Sequence, residues 1–351
     1  MSKGLKTLRQ EIDDVNSSIL ELLNKRTELI KEIVDLKDQK GIEYFDAERE
    51  TEMMEKILGQ NSGPLYNELV REIFSTIFSA SLKFMGISHQ KKLLVSSSSK
   101  ECFMSVHEMF GLADNELFII AGPCAVETPE YLEIIAGHLR EKNIKFIRAG
   151  AYKPRTSPYD FQGLKKKGLE ILREVSKRYG LFSVTEVVDT REVDLVAQYA
   201  DILQIGARNM QNFELLKEVG KTNHPVLLKR GISATIQELI FAAEYIALNG
   251  NKKIILCERG IRTYETKTRN TLDISSIPII KKETQLPIIA DLSHSLGRKD
   301  IVNNIAKAVL SAGADGIMVE VHPIPELALS DSKQQLNLNE FDDMLDFITR
   351  K

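Results

Sequence analysis

Hydrophobic positions along this chain change their period near residue 90. Before that point they recur in steps of three and four: Leu5, Leu8, Ile12, Val15, Ile19 and Leu22, then Leu29, Ile33 and Leu36. Such spacing puts apolar side chains on one helical face, and it predicts a single helix from about residue 4 to 39, ended at Gly41. At about 1.5 Å per residue this helix is roughly 50 Å long, more than a small domain can cover, so it is expected to pack along a second copy of the chain. A second helix is expected over 46–58 with Asp46 as N-cap, and a third from about 65 to 85 after the break GQNSGP.

From residue 117 onward, short apolar runs alternate with helix-length segments. Eight runs of strand length begin at FIIAGP and end at DGIMVEVHP, and several, such as PVLLK and KIILC, are apolar throughout, as suits strands buried on both faces. The gaps at 131–142, 164–178, 190–199, 211–219, 233–249, 275–283, 299–312 and 334–350 carry a helical period. Eight strand–helix repeats in roughly 230 residues predict an α/β fold, a parallel (β/α)8 TIM barrel. The predicted organisation is an all-α three-helix domain over 1–89, a linker over 90–116 with at most one extra strand, and the barrel over 117–351.

Composition narrows the partners. The net charge of −3 gives no global basic field, so a nucleic-acid partner is not expected. No segment suits a membrane span and MSKGLKTLRQEIDD has no apolar signal core, so a cytoplasmic protein is expected. Three cysteines, Cys102, Cys124 and Cys257, without CxxC spacing do not make a disulfide framework.

Chemistry collects where the strands end. Cys124 follows the first, Arg148, Lys153 and Arg155 the second, Glu186 the third, Arg208 the fourth, Lys229 the fifth, Arg259 the sixth, His294 the seventh, and Glu320 and His322 the eighth. Barrel enzymes assemble their sites at that end. In the loop RAGAYKPRTSPYD, three cations lie beside Thr156 and Ser157, and Pro154 and Pro158 stiffen the chain, an arrangement suited to phosphate and carboxylate groups. With Arg208, Lys229 and Arg259 on the same face, one or two anions are expected there. Cys124, His294, Glu320 and Asp331 form a metal-capable set, whose thiolate, imidazole and carboxylates suit a divalent transition ion, Mn2+ foremost, with Zn2+, Co2+ or Fe2+ as alternatives. Cys257 is assigned to packing. Glu186 reads equally as a general acid or base and as a partner for Lys153.

The motifs AGPCAVE, RAGAYKPRTSPYDFQG, QIGARNMQNFELLK, PVLLKRG, ILCERGIRTYETKTRNTLDIS, SHSLGR and EVHP…LSDSKQQL resemble the 3-deoxy-D-arabino-heptulosonate-7-phosphate (DAHP) synthases of the compact type I-beta group, over about 117 to 345. The resemblance implies condensation of phosphoenolpyruvate with erythrose 4-phosphate, the first step of the shikimate pathway. It implies metal ligation by Cys124, His294, Glu320 and Asp331. Arg148 and Lys153 would hold the carboxylate end of phosphoenolpyruvate, and Arg208, Lys229 and Arg259 its phosphate. Arg155 and Thr156 would bind erythrose 4-phosphate, and Glu186 would position the attacking water, so that Cys124, Lys153, Glu186 and His294 carry the catalysis. The alternative sugar, arabinose 5-phosphate, belongs to a sister enzyme whose loop has an Asn-Arg-Ser element in place of KPRT. Type I-beta barrels commonly form tetramers, and a homotetramer with dimerised N-terminal domains is expected.

The N-terminal segment resembles the all-helical chorismate mutases through LRQEID with Arg9, LLNKRTELI with Arg26, Lys37, and FDAERE with Glu48. Arg9, Arg26, Lys37 and Glu48 would then bind chorismate or prephenate. Arg26 lies on the apolar stripe, where a charge needs a partner, and Lys37 faces the same way three turns on. Arg9 is turned roughly 100° from them, so a shared site would take it most easily from a second chain. The family places a Gln late in the last helix to donate to the ether oxygen of chorismate; here Met85 stands at that position and cannot donate. Either Gln90 or Lys37 compensates in a working mutase, or the domain serves mainly as a binding module for feedback inhibition of the barrel.

Overall fold

The computed structural model describes residues 4–40, 47–88, 93–113, 116–153, 157 and 159–350, and the chain divides into two compact units, Met1–Lys91 and Lys92–Lys351. In the first, α1 (Leu5–Lys40), α2 (Ala47–Gln60) and α3 (Asn67–Ser88) pack through α3, which touches both other helices. Val34, Met54, Val70 and Phe78 are the buried hydrophobics described there. The stripe that predicted α1 is not covered. Leu5, Leu8, Ile12, Val15, Ile19, Leu22, Leu29, Ile33 and Leu36 are between 43% and 67% exposed. Asp46, expected as a cap, lies outside the described residues.

The second unit is a closed barrel of eight parallel strands that pair in chain order: β1 (Phe118–Gly122), β2 (Phe146–Arg148), β3 (Phe182–Glu186), β4 (Ile202–Ile205), β5 (Val226–Lys229), β6 (Ile254–Glu258), β7 (Ile288–Asp291) and β8 (Gly316–Glu320). β8 closes on β1 in a register running from Phe118 beside Gly316 to Gly122 beside Glu320. The short α4 (Val106–Phe110) precedes β1. Around the barrel lie α5 (Pro129–Glu141), α6 (Lys166–Tyr179), α7 (Val193–Tyr199), α8 (Phe213–Lys221), α9 (Ile236–Leu248), α10 (Ser276–Glu283), α12 (Val302–Ser311) and α13 (Leu338–Thr349), in the eight predicted slots. The extra α11 (Leu292–Leu296) follows β7 directly. Local chemistry starts these helices. Thr128 caps α5 ahead of Pro129, and Thr235 with Glu238 and Asn337 with Glu340 form capping boxes on α9 and α13. Among the described residues no helix is long and apolar enough to cross a membrane.

The interior alternates with period two. Phe118, Ile120, Phe146, Val184, Ile202, Leu227, Ile255, Cys257, Ile289 and Met318 form one buried cluster inside the barrel. Two residues beyond Phe146, Val184, Leu227, Cys257, Ile289 and Met318 stand Arg148, Glu186, Lys229, Arg259, Asp291 and Glu320. The strand geometry that packs the apolar layer therefore stacks a charged layer on it at the C-terminal mouth.

Within the span expected as a linker, residues 93–113 pack against the barrel. Glu244 of α9 accepts from the amides of Leu94 and Val95, at 2.9 and 3.1 Å. A single antiparallel bridge, Ser96 with Thr284, takes the place of the extra strand. The α4 residue Phe110 closes the floor of the barrel, stacking on Phe118 at 5.7 Å and meeting Phe146 edge-on at 4.9 Å. The polar run SSSS interrupts a segment in which Val95, Val106 and Leu112 are buried and Leu93, Leu94, Phe103, Met109 and Phe110 are partly buried against the core.

An apolar stripe of nine side chains left in water predicts association. Residues 1–91 produced alone are expected to sediment as a dimer, and Val15→Asp with Ile19→Asp should shift that fragment to monomer. A folded monomer of the unaltered fragment would contradict the packing argument.

Candidate active site

The mouth is built on the strand ends. Among the described residues its cavity is lined by seven Arg or Lys residues, Arg148, Lys153, Arg208, Lys229, Arg259, Arg262 and Arg269, against two carboxylates, Glu186 and Asp331. Beneath them two ion pairs are almost completely buried, Arg148 with Glu320 and Lys229 with Asp291. Removing one member of such a pair strands the other charge and typically costs about 3–5 kcal/mol. Burial alone would lower the affinity of Arg148 for its proton, but Glu320, Cys124 and Asp291 together more than offset this and raise it. Arg259, without so close a carboxylate, is lowered by burial. A cluster of this sign favours anions with several negative charges.

The metal-capable residues converge at one side of the mouth. Donor atoms of Cys124, Glu320 and Asp331 lie within 4.8 Å of one another. Cys124 Sγ stands 3.4 Å from Asp331 Oδ2, and His294 Nε2 stands 3.7 Å from Glu320 Oε1 and 3.8 Å from Asp331 Oδ2. A transition ion about 2.0–2.3 Å from each donor imposes ligand separations of this size. The protonation states fit too. Burial, then Glu320, pushes the Cys124 thiol up to about 11, so only an added cation makes it a thiolate near neutral pH. Burial lowers the proton affinity of His294. Burial works against ionising Glu320, but His294, Arg148 and Lys153 bring it to about 2. The residues present therefore fit a divalent ion.

Glu186 ends β3 at the cavity wall. Among the described residues no ion pair joins it to Lys153, whose Nζ donates instead to Cys124 O at 2.8 Å. The space for its carboxylate comes from Gly206, where a Cβ would overlap Glu186 Oε1. Cys257 is buried inside the barrel beside Lys229 in register, with its thiol pushed up by burial. Arg155 and Thr156 lie outside the described residues.

Sequence reasoning missed Asp291, which holds two of the expected residues. It pairs with Lys229, accepts from the His294 amide at 3.0 Å, and lies 2.9 Å from His294 Nδ1. Its position two beyond Ile289 was the available signal. His322 was expected at the mouth; it is fully buried, accepts from Ile324 N and packs against Tyr131.

In the helical unit Arg26 is half-buried, donates to Ser81 Oγ and lies 5.4 Å from the centre of the Phe78 ring, and burial lowers its proton affinity. Lys37 is partly buried and Arg9 exposed. The side chains of Glu48 and Met85, and all of Gln90, lie outside the described residues.

Fold and site together define a (β/α)8-barrel enzyme with a polyanion-binding mouth and a metal-capable centre. The chain belongs to the DAHP synthetase I family, whose model matches residues 97–350, and a chorismate mutase type II model matches residues 8–85. The phospho-2-dehydro-3-deoxyheptonate aldolase of Thermotoga maritima is 59% identical over 227 residues, 65% of this chain and 67% of that protein. A 2-dehydro-3-deoxyphosphooctonate aldolase of Methylococcus capsulatus is 29% identical over 255 residues, 67% of this chain and 89% of its own. The crystal structure of the Thermotoga maritima aldolase (DAHP synthase) superimposes with a TM-score of 0.68 at 52% identity, covering 72% of this chain and 74% of that one. A truncated form of that synthase gives a TM-score of 0.66 at 49% identity, over 73% of this chain and 94% of the other.

Gly206→Ala tests the place of Glu186. The added methyl displaces its carboxylate, and turnover is expected to fall by about 10²-fold or more. Steady-state kinetics with an unchanged kcat would remove Glu186 from the chemistry.

Proposed function

We propose that the barrel condenses phosphoenolpyruvate with erythrose 4-phosphate and water to DAHP and inorganic phosphate. The observation that carries this reading is the cationic mouth beside the Cys124–His294–Glu320–Asp331 cluster, in a chain of the DAHP synthetase I family. Arabinose 5-phosphate ranks second as the sugar, because the phosphooctonate aldolase is only 29% identical whereas the phosphoheptonate aldolase is 59% identical.

Arg148 and Lys153 hold the carboxylate of phosphoenolpyruvate, and Arg208, Lys229 and Arg259 hold its phosphate. Arg155 and Thr156 receive the phosphate end of the sugar. Held in this way, phosphoenolpyruvate presents C3 to the aldehyde carbon. A new C–C bond forms as the enol π electrons move, and the aldehyde oxygen takes a proton. Glu186 positions a water that adds at C2, and the resulting hemiketal phosphate expels phosphate as its C–O bond breaks. The fixed cations stabilise charge on two phosphates and a carboxylate throughout. Cys124, His294, Glu320 and Asp331 hold a divalent ion, Mn2+ foremost, which when bound supplies Lewis-acid polarisation of the aldehyde.

The helical unit carries a chorismate mutase type II domain. Its cations Arg9, Arg26 and Lys37 bind a dicarboxylate whether or not an ether-oxygen donor is present. We infer that it binds chorismate or prephenate, turns chorismate over weakly because Met85 replaces the donor, and inhibits the barrel when occupied. The whole chain assembles as a homotetramer.

Chelation is expected to abolish synthase turnover, with Mn2+, Zn2+ or Co2+ restoring it better than Ca2+. Cys124→Ser should weaken metal binding while Cys257→Ser leaves kcat near its original value. Full activity of metal-stripped enzyme would sink the metal assignment.

For the helical unit, removal of residues 1–91 should leave an active synthase that prephenate no longer inhibits. The cut falls there because Phe110 and its neighbours close the barrel floor. Met85→Gln should raise mutase turnover about 10-fold or more. Persistent inhibition of the truncated enzyme would move the sensor into the barrel.

A further inference from the structure

The loop after β6 returns to the mouth at Arg269 and Asn270 and is strapped to α11, the helix carrying His294. Arg269 N donates to Leu296 O at 2.9 Å, Asn270 N to Ser295 O at 2.8 Å, and Asn270 Nδ2 to His294 O at 2.8 Å. Gly297, at φ +66°, leaves the room this strap needs, since a Cβ there would crowd Cβ of Arg269. The backbone of Arg269 is thus fixed relative to the imidazole.

From that anchor its guanidinium donates to Gln334 Oε1 at 2.7 Å and lies 3.4 Å from Asp331 Oδ1. Gln334, 5% exposed, donates through Nε2 to Glu320 Oε2 at 2.6 Å. An arginine only donates and a carboxylate only accepts, so the amide between them has one workable orientation. Gln334 takes Glu320 Oε2, while Oε1, which accepts from Arg148, faces His294 Nε2. Arg269 takes Asp331 Oδ1, leaving Oδ2 to face Cys124 Sγ and His294 Nε2. Asp331 also sits at φ +52°, in the left-handed region that aspartate enters more readily than most residues.

We propose that Arg269 and Gln334 form a positioning relay that turns one oxygen of Glu320 and one of Asp331 toward a shared cation, a role that rests on the metal-binding reading of the site. Neither residue touches the reacting atoms; both act through the ligands they orient. Outer partners of metal ligands typically contribute 10–100-fold to affinity.

The test is Mn2+ binding to the full-length, substrate-free protein, read from the paramagnetic resonance signal of free Mn2+ and from calorimetry. Arg269→Met and Gln334→Met are each expected to weaken binding about 10–100-fold. The double variant should lose less than the product of the two single losses, because the two share a hydrogen bond. The Arg269 side chain is 38% exposed, so Arg269→Met carries the test even where Gln334→Met does not fold. Unchanged Mn2+ affinity with a raised KM for either substrate would make Arg269 a substrate contact and overturn the relay. Losses that simply multiply would overturn it as well. A wild-type protein that binds no Mn2+ defeats the metal reading itself, and is told apart because the failure appears before any substitution.

Discussion

The period-two alternation of the barrel strands is the constraint on which the site depends. Phe146, Val184, Leu227, Ile289 and Met318 fill the interior, and the next residue of the same parity on each strand is Arg148, Glu186, Lys229, Asp291 or Glu320. Slipping a strand by one residue would turn its mouth charge away from the cavity, toward the surrounding helices. The hydrophobic packing that makes the barrel fold therefore also sets the charged layer. Chemistry and stability share a register, which is why so many charges survive in so buried a place.

These charges are tolerated because they are matched across the barrel rather than along it. Arg148 on β2 reaches Glu320 on β8, and Lys229 on β5 reaches Asp291 on β7. Between β2 and β8 stands Gly122, at φ +145°, where any Cβ would collide with the backbone of Arg148. Glycine at the end of β1 thus permits the close approach of strands on which the Arg148–Glu320 pair depends. The same carboxylates that neutralise cations of the mouth face metal-capable donors, so the cationic mouth and the metal-capable cluster are halves of one electrostatic arrangement.

Much of this was legible beforehand for a physical reason. Strand runs are short and apolar, and their ends carry residues that would be costly inside a barrel unless used. Arg148, Glu186, Lys229 and Glu320 could be picked out on that ground, as could the eight helical slots. Gln334 and Arg269 could not, because each acts on residues distant in the chain: Gln334 meets Arg269 across 65 positions. Residues 90–116 were read as a linker because polar serines interrupt them, whereas Phe110 stacks on Phe118 and Val95, Val106 and Leu112 are buried. α11 was missed because LSHSL is too short for any period to emerge.

The exposed stripe on α1 would make the helical unit sensitive to dilution. The barrel closes its hydrophobic interior with its own eight strands and the helices around them. Among the described residues the helical unit buries four hydrophobic side chains, and covering its stripe with a second copy would make that association second order in chain. Every tenfold dilution would then remove about 1.4 kcal/mol from such a helical assembly.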